Sequence, residues 1–427
     1  MMSVNVKKES SRSIVVLGAG QAGFQVAVSL RDFGYDGNIA LIGDEFHLPY
    51  RRPPLSKAYL EGSVVAAALG LQSEHYFEKQ DVGLRIGSKA ISIDRSSNTV
   101  SLDSGDRVRY DHLVIATGAT PRSLQVPGIG LAGVVSLHRI EHADMLRGLF
   151  QTPGDLVVIG GGFIGMEVAS VAAKAGQRVT VVEAADRVMS RVVSEEVSGA
   201  VAREQAANGV SIMAGRYAVA FHGQSGHISA VELDDGTRLP ARIVLVGVGV
   251  SPNVALADES ALTVDNGIAV DESLLTSDAS ISAIGDCASF PSAHARRRVR
   301  LESVQNAVDQ AKYVAGRLVG RVDAAYKSVP YFWTRQFGMS VQIVGIGSVN
   351  DERWISGDPE SGAFSIFRFN DGALSCVESI NRSAEHLAVR DVFGKCNSLP
   401  RIMQASLATH MPSLSIKKVD AQAIVVS

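Results

Sequence analysis

A chain of 427 residues with 46% apolar content has room for roughly three domains and several buried cores, which excludes a disordered chain or one small module. Its formal net charge of -3 gives no overall reason to expect nucleic acid or an anionic membrane as partner. The cysteines Cys287, Cys376 and Cys396 form neither a CxxC pair nor a metal-ligand spacing. No metal site and no disulfide scaffold are therefore expected, and the setting reads as reducing and cytoplasmic.

The first pattern is Ile14 to Gly23, IVVLGAGQAG, where an apolar strand runs into Gly18-x-Gly20-x-x-Gly23 and then into a helical spacing of Phe24, Val26, Ala27 and Leu30. This is a dinucleotide-binding turn. The first glycine permits the turn, the second lets a pyrophosphate approach the backbone, and the third lets helix and strand pack closely. Lys7, Lys8 and Arg12 ahead of the run imitate a signal peptide, but the glycines inside it argue against one. Apolar stretches such as Ile243 to Val250 fall short of the about 20 residues that a membrane helix needs, so a soluble protein is expected. A strand over Ile39 to Ile42 follows. Asp44, with Glu45 second, lies about 20 residues past the last glycine, where an acid reaches the adenosine ribose.

In Tyr50-Arg51-Arg52-Pro53-Pro54-Leu55-Ser56-Lys57 the two prolines fix φ and remove donors, so the stretch reads as a rigid loop delivering Ser56 and Lys57 to a helix start. Strands near Ala90 to Asp94, Thr99 to Leu102 and Val108 to Tyr110 predict a meander. It closes with LVIATGATPR, in which a second apolar strand meets a glycine turn at Gly118. The order then repeats. Leu156 to Gly165, LVVIGGGFIG, carries Gly160-x-Gly162-x-x-Gly165; a strand over Val179 to Val182 ends in Glu183; a meander turns at Asp234-Asp235-Gly236; and a return strand over Ile243 to Val248 runs into Gly249. Two ordered copies of one plan indicate a duplicated domain and two nucleotide sites.

Ile281 to Cys287 reads as one more strand, ending in Gly285-Asp286, and Glu302 to Ala307 opens a helix. Past Pro330 the composition shifts to Tyr331-Phe332-Trp333 and to alternating strands near Val341 to Ile346, Ala363 to Phe369 and Leu374 to Ile380. These predict an antiparallel sheet with later helices packed on it, and Trp333 at the junction is a candidate contact. The fold class is α/β, with two Rossmann-like dinucleotide-binding domains and a C-terminal α+β domain. The expected boundaries are 1–117 with 247–328 for the first domain, 118–246 for the second and 329–427 for the third.

GAGQAG, PYRRPPLSK, ATGATPR, GGGFIGME, AIGDCA, ESVQNA and VPYFWT occur in the order and spacing of oxygenase-coupled, NADH-dependent ferredoxin reductases. The chain resembles that putidaredoxin-reductase-like family over nearly its whole length. The resemblance implies a glutathione-reductase-type fold, FAD in the first site and NADH in the second. It also implies a small iron–sulfur ferredoxin as partner, serving a haem monooxygenase or a Rieske-type oxygenase. No nucleic acid or membrane partner is expected, and the state is monomer or weak dimer. Flavin contacts are implied at Gly18, Gly20, Ala22, Gly23, Asp44, Arg52, Lys57, Ala90, Gly118, Arg139, Asp286, Val304 and Trp333. NADH contacts are implied at Gly160, Gly162, Ile164, Gly165, Glu167, Glu183 and Gly249. Lys57 and Glu167, the latter in the first turn of its helix, are expected to pair where the nicotinamide reacts. A helix starting at Val304 would turn its free N–H groups and dipole toward the flavin and favour negative charge there.

The chain departs from the family pattern in two places. Relatives often have FWSDQ where this chain has Phe332-Trp333-Thr334-Arg335-Gln336, and Gln72 stands where an arginine is common. A pyridine-nucleotide disulfide or peroxide reductase would need a thiol near Pro53 to Lys57, and no cysteine occurs before Cys287. A flavoprotein of the apoptosis-inducing-factor type would be expected to bring long extensions, against about a dozen residues ahead of the first strand. Finally, Arg296-Arg297-Arg298-Val299-Arg300 puts four arginines in five positions between Asp286 and Val304. Arg297 and Arg298 are expected to offer an acidic ferredoxin a basic face.

Overall fold

The computed structural model describes residues 12–393 and 416–419. Lys7, Lys8 and Cys396 lie outside the described residues. The chain forms two compact units. One is built from the stretches up to Arg51, Leu69–Thr120 and Pro252–Ser328, the other from Arg52–Ala68, Pro121–Ser251 and the stretch from Val329 onward.

In the first unit, Ser13–Leu17 and His112–Ile115 are buried almost throughout, the mark of strands covered on both faces of a parallel sheet. They sit centrally in a five-stranded parallel sheet ordered Ile281–Ala283, His112–Ile115, Ser13–Leu17, Asn38–Ile42, Val82–Arg85. The helices Gln21–Asp32 and Val304–Leu318 pack against each other. The expected meander is present as Ala90–Asp94, Thr99–Leu102 and Arg107–Arg109.

The second unit repeats the plan. Its parallel sheet is ordered Ser211–Ala214, Arg178–Glu183, Asp155–Ile159, Ile243–Val246, Val134–Val135. The meander is Ala218–Gln224, His227–Leu233 and Arg238–Pro240. The C-terminal strands form one antiparallel sheet ordered Tyr331–Gln336, Met339–Gly345, Ala373–Ile380, Ala363–Asn370, Glu352–Asp358, Ile416–Lys418, followed in the chain, before its last strand, by the helix Ser383–Val392. One apolar cluster joins Leu156, Val158, Met166 and Leu245 to Met339, Val341, Phe364 and Ile366. The C-terminal sheet thus shares its core with the second nucleotide-type sheet.

Two local expectations change. The strand expected over Ile281 to Cys287 stops at Ala283 and becomes a 3-10 turn, Gly285–Cys287, because Gly285 takes φ +74°, a conformation open to glycine. The proline stretch is a single 3-10 turn, Pro53–Ser56, with Lys57 at its end. No longer helix starts there, since Lys57 leaves the helical region with φ -133° and ψ -118°. Among the described residues no helix is long and apolar enough to cross a membrane.

Candidate functional site

Within each glycine turn the three glycines do different physical work. Gly18 has φ +105°, and a Cβ there would strike the Ala116 carbonyl; a Cβ on Gly23 would strike the Gly18 carbonyl. Gly20, the N-cap of Gln21–Asp32, faces open space. The second turn is built alike. Gly160 has φ +103° and lies against the Gly247 carbonyl, Gly165 lies against the Gly160 carbonyl, and Gly162, the N-cap of Phe163–Lys174, faces open space. No side chain caps either helix, so their first N–H groups are directed at whatever occupies that space, and a phosphate suits them. The outer glycines close the turn and the middle one leaves a cradle. Both turns fit a dinucleotide.

Around the first turn, Asp44 is exposed two residues beyond Asn38–Ile42, whereas Glu45 accepts the Tyr50 hydroxyl at 2.7 Å. Ala90 opens the meander, and Gly118 has φ +68°. Asn253 locks that glycine turn, with its Nδ2 donating to the Thr117 carbonyl at 2.8 Å and its amide to the Gly118 carbonyl at 3.0 Å. Asp286 sits in the 3-10 turn, which is held from two sides. Gln310 Oε1 accepts the Gly285 amide at 2.7 Å, and Arg300 Nη1 donates to the Asp286 carbonyl at 3.1 Å. Gln310 is fully buried, and its Nε2 has no partner among the described residues. Val304 is the first residue of its helix; Ser303 Oγ accepts the Asn306 amide at 3.1 Å, leaving the Val304 and Gln305 amides outside that cap.

Around the second turn, Glu183 ends its strand. Its Oε2 accepts the Gly161 amide at 2.6 Å and its Oε1 the Ala185 amide at 2.8 Å. Ile164 is exposed, and Gly249, at φ +97°, accepts the Arg122 amide at 3.0 Å. Arg52 donates to the His138 carbonyl at 2.6 Å, and Arg139 is the N-cap of Ile140–Phe150.

The same unit brings Lys57 and Glu167 together, with Lys57 Nζ 2.6 Å from Glu167 Oε2. Glu167 is the fifth residue of its helix, so it opens the second turn and does not lie in the first. It is 3% exposed. Ser56 Oγ donates to its Oε2 at 2.5 Å and Thr334 Oγ1 to its Oε1 at 2.6 Å. Lys57 Nζ also lies 5.0 Å from the centroid of the Trp333 ring. A carboxylate this deep needs a cation and hydrogen-bond donors to remain charged, and here it has one cation and two hydroxyls.

Residues 12–311 match the family described as pyridine nucleotide-disulphide oxidoreductase. The chain belongs to that family. Residues 331–414 match the reductase C-terminal family. Rhodocoxin reductase of Rhodococcus erythropolis is 44% identical over 380 residues, 89% of each chain. Among solved structures, the ferredoxin reductase for the CYP199A2 system of Rhodopseudomonas palustris has a TM-score of 0.88 at 43% identity, covering 91% of this chain and 95% of that one. The putidaredoxin reductase of a covalent complex with putidaredoxin also has a TM-score of 0.88, at 37% identity over 91% of this chain and 94% of that one. This pyridine nucleotide oxidoreductase is an enzyme that uses a flavin and NAD(H).

Neither described cysteine is suited to thiol chemistry. Cys287 and Cys376 are buried, and burial pushes both thiols up, away from the thiolate a nucleophile needs. In the arginine run Arg296, Arg297 and Arg298 are exposed, whereas Arg300 is drawn in. Arg298 donates to the carbonyls of Val270 and Ser289, at 2.9 and 2.5 Å. The Arg300 side chain is 7% exposed and pairs with Glu302 at 2.7 Å. Arg297 Nη1 donates to the Arg298 carbonyl at 3.5 Å, and Arg296, at φ +51°, lies in the turn of the hairpin formed by Ala288–Ser292 with Arg297–Val299. Asn253, Gln310 and Thr334 were not singled out from sequence. Each works through a partner remote in the chain, and only Gln310, an amide within an apolar helix face, left a local sign.

Proposed function

We propose that the enzyme takes hydride from NADH and passes electrons singly to a small iron–sulfur ferredoxin that supplies an oxygenase, in the cytoplasm. The observation that supports this best is the pair of glycine turns, each open at its middle glycine, with Lys57 paired to the buried Glu167 on the helix that follows the second turn. We assign FAD to the first turn, in a domain of 1–117 with 247–328, NADH to the second in 118–246, and a C-terminal domain to 329–427.

FAD supplies the conversion of one hydride into two single-electron transfers. The cradle at Gly20 and Ala22 holds its pyrophosphate, Asp44 its adenosine ribose and Asp286 its ribitol. The helix starting at Val304 offers N–H groups and a positive dipole end to the negatively charged ring edge. Gly162 and the amides after it hold the NADH pyrophosphate, and Glu183 accepts hydrogen bonds from its ribose. Lys57, fixed by Glu167, would keep charge balanced at the nicotinamide end of the NADH site.

Anaerobic stopped-flow reduction by NADH, followed by a ferredoxin-dependent acceptor assay, tests the reading. Failure of NADH to bleach the flavin, or of a reduced ferredoxin to form, overturns it. The purified protein is expected to be yellow, with one FAD per chain released by acid precipitation. Colour retained in the pellet, or FMN in the supernatant, contradicts the assignment.

Docking is expected to use the projecting arginines. Arg296→Glu combined with Arg297→Glu is expected to slow ferredoxin reduction roughly tenfold at low salt and to flatten its ionic-strength dependence, since complementary charge acts mainly on encounter. Reduction of ferricyanide by NADH stays unchanged. An unaltered salt slope moves the docking face to Arg335 and Trp333, both exposed on the edge strand Tyr331–Gln336.

A further inference from the structure

The second glycine turn is backed by a loop, residues 184–194, and by the Glu183 carboxylate that precedes it. Glu183 at its start accepts the Gly161 amide, and the Met189 amide donates to the Gly161 carbonyl at 2.9 Å. Met189 takes φ +55°, a left-handed conformation that a methionine adopts only when its surroundings impose it. Arg187 folds back on the loop, donating to the carbonyls of Ser190, Val193 and Ser194 at 3.1, 3.0 and 3.4 Å. The loop ends on Ser194 and is held along its length too, Ser198 Oγ donating to the Val188 carbonyl at 2.6 Å, so the anchoring of Ser194 is one of the contacts that set the shape of the turn.

Ser194 is 3% exposed and is the N-cap of Glu195–Ala207, yet its hydroxyl does not cap that helix. Its amide and its hydroxyl both donate to one oxygen of Glu378, at 2.8 and 2.5 Å. Glu378 is fully buried on the strand Ala373–Ile380 of the C-terminal sheet. Its other oxygen accepts from Arg368 Nη1 at 2.7 Å, and Arg368 also faces Asp351 at 3.7 Å. The carboxylate has its counter-ion within its own sheet and uses its remaining oxygen on a residue 184 positions away. It also lies at a helix N-terminus, where negative charge is favoured. An apolar side chain would fill the same space without the desolvation cost of a charge, but would leave the Ser194 amide and hydroxyl buried without partners.

We propose that Glu378 is a positioning residue for NADH: by clamping Ser194 it holds the 184–194 loop, and with it Gly161 and the Glu183 carboxylate, in the geometry that receives the adenosine half of the dinucleotide. The inference rests on the assignment of NADH to this turn. The C-terminal sheet is then a structural part of the nucleotide site.

The test uses the full-length holoenzyme with ferricyanide as acceptor, so that no ferredoxin is needed. Glu378→Gln and Ser194→Ala are each expected to raise KM for NADH roughly tenfold while kcat at saturation stays within about twofold, the split that marks lost ground-state binding. KM for NADPH, which does not depend on a well-placed Glu183, is expected to move less, so discrimination between the two cofactors narrows. A merely structural role lowers the melting temperature and leaves the ratio alone. Ser194→Ala keeps the Glu378–Arg368 pair and decides the matter if Glu378→Gln fails to fold. Unchanged KM for NADH and unchanged discrimination in Ser194→Ala overturn the proposal. A wild-type enzyme with no preference for NADH instead overturns the assignment of the turn.

Discussion

Replacing Lys57 by methionine is expected to slow flavin reduction by NADH about a hundredfold, the scale of loss when a reacting pair is displaced by about 1 Å. Methionine keeps the length and apolar stem of lysine and removes only the ammonium. The Glu167 carboxylate, 3% exposed, then retains the hydroxyls of Ser56 and Thr334 but loses its cation at 2.6 Å. Breaking a buried ion pair from one side costs about 3–5 kcal/mol, and the low end applies because the Lys57 side chain remains 20% exposed. The loss of the ammonium removes the charge balance proposed for the hydride step. FAD content is expected to stay at one per chain, because the cradle assigned to FAD lies around Gly20, in the other unit. Anaerobic stopped-flow at the flavin absorbance band measures the rate. Glu167→Gln, which leaves Lys57 unpaired, is expected to give a loss of the same order. Wild-type rates in both variants would remove the pair from the mechanism.

What could be read from sequence follows the range of the interactions involved. The glycine turns were legible because each glycine answers a local demand: Gly18 and Gly160 need positive φ, and Gly23 and Gly165 lie against a carbonyl five residues earlier. Strands such as Ser13–Leu17 were legible because both faces are apolar. Lys57 and Glu167 could be paired only through the family resemblance, since 110 positions separate them. Thr334, 167 positions from Glu167, gave no local sign at all. Charge density in the arginine run says nothing of direction: Arg296 to Arg298 are exposed, whereas the Arg300 side chain is 7% exposed and paired with Glu302. The proline loop misled: proline predicts where a turn begins, but not that Lys57 ends it after one turn.

The enzyme is expected to favour NADH over NADPH by at least about a hundredfold in kcat/KM, because like charges brought together in a binding site cost several kcal/mol. The Glu183 carboxylate is not a loose surface acid. The Gly161 and Ala185 amides hold one oxygen each, at 2.6 and 2.8 Å, which fixes its position. Fixed in this way it can accept from ribose hydroxyls, whereas a 2′-phosphate in their place meets a negative charge. Compensation would require an arginine or lysine nearby. Arg187 is folded onto the carbonyls of Ser190, Val193 and Ser194, and Arg216 pairs with Asp234 and Asp235, at 3.2 Å each. Glu183→Gln keeps an oxygen for the Gly161 amide and removes the charge, so it is expected to raise kcat/KM for NADPH roughly tenfold while lowering that for NADH. Steady-state rates with both cofactors and ferricyanide as acceptor measure each term. Equal kcat/KM for the two cofactors in the wild-type enzyme would show that Glu183 does not face the ribose, and the adenosine end of the dinucleotide would have to be placed elsewhere on this sheet.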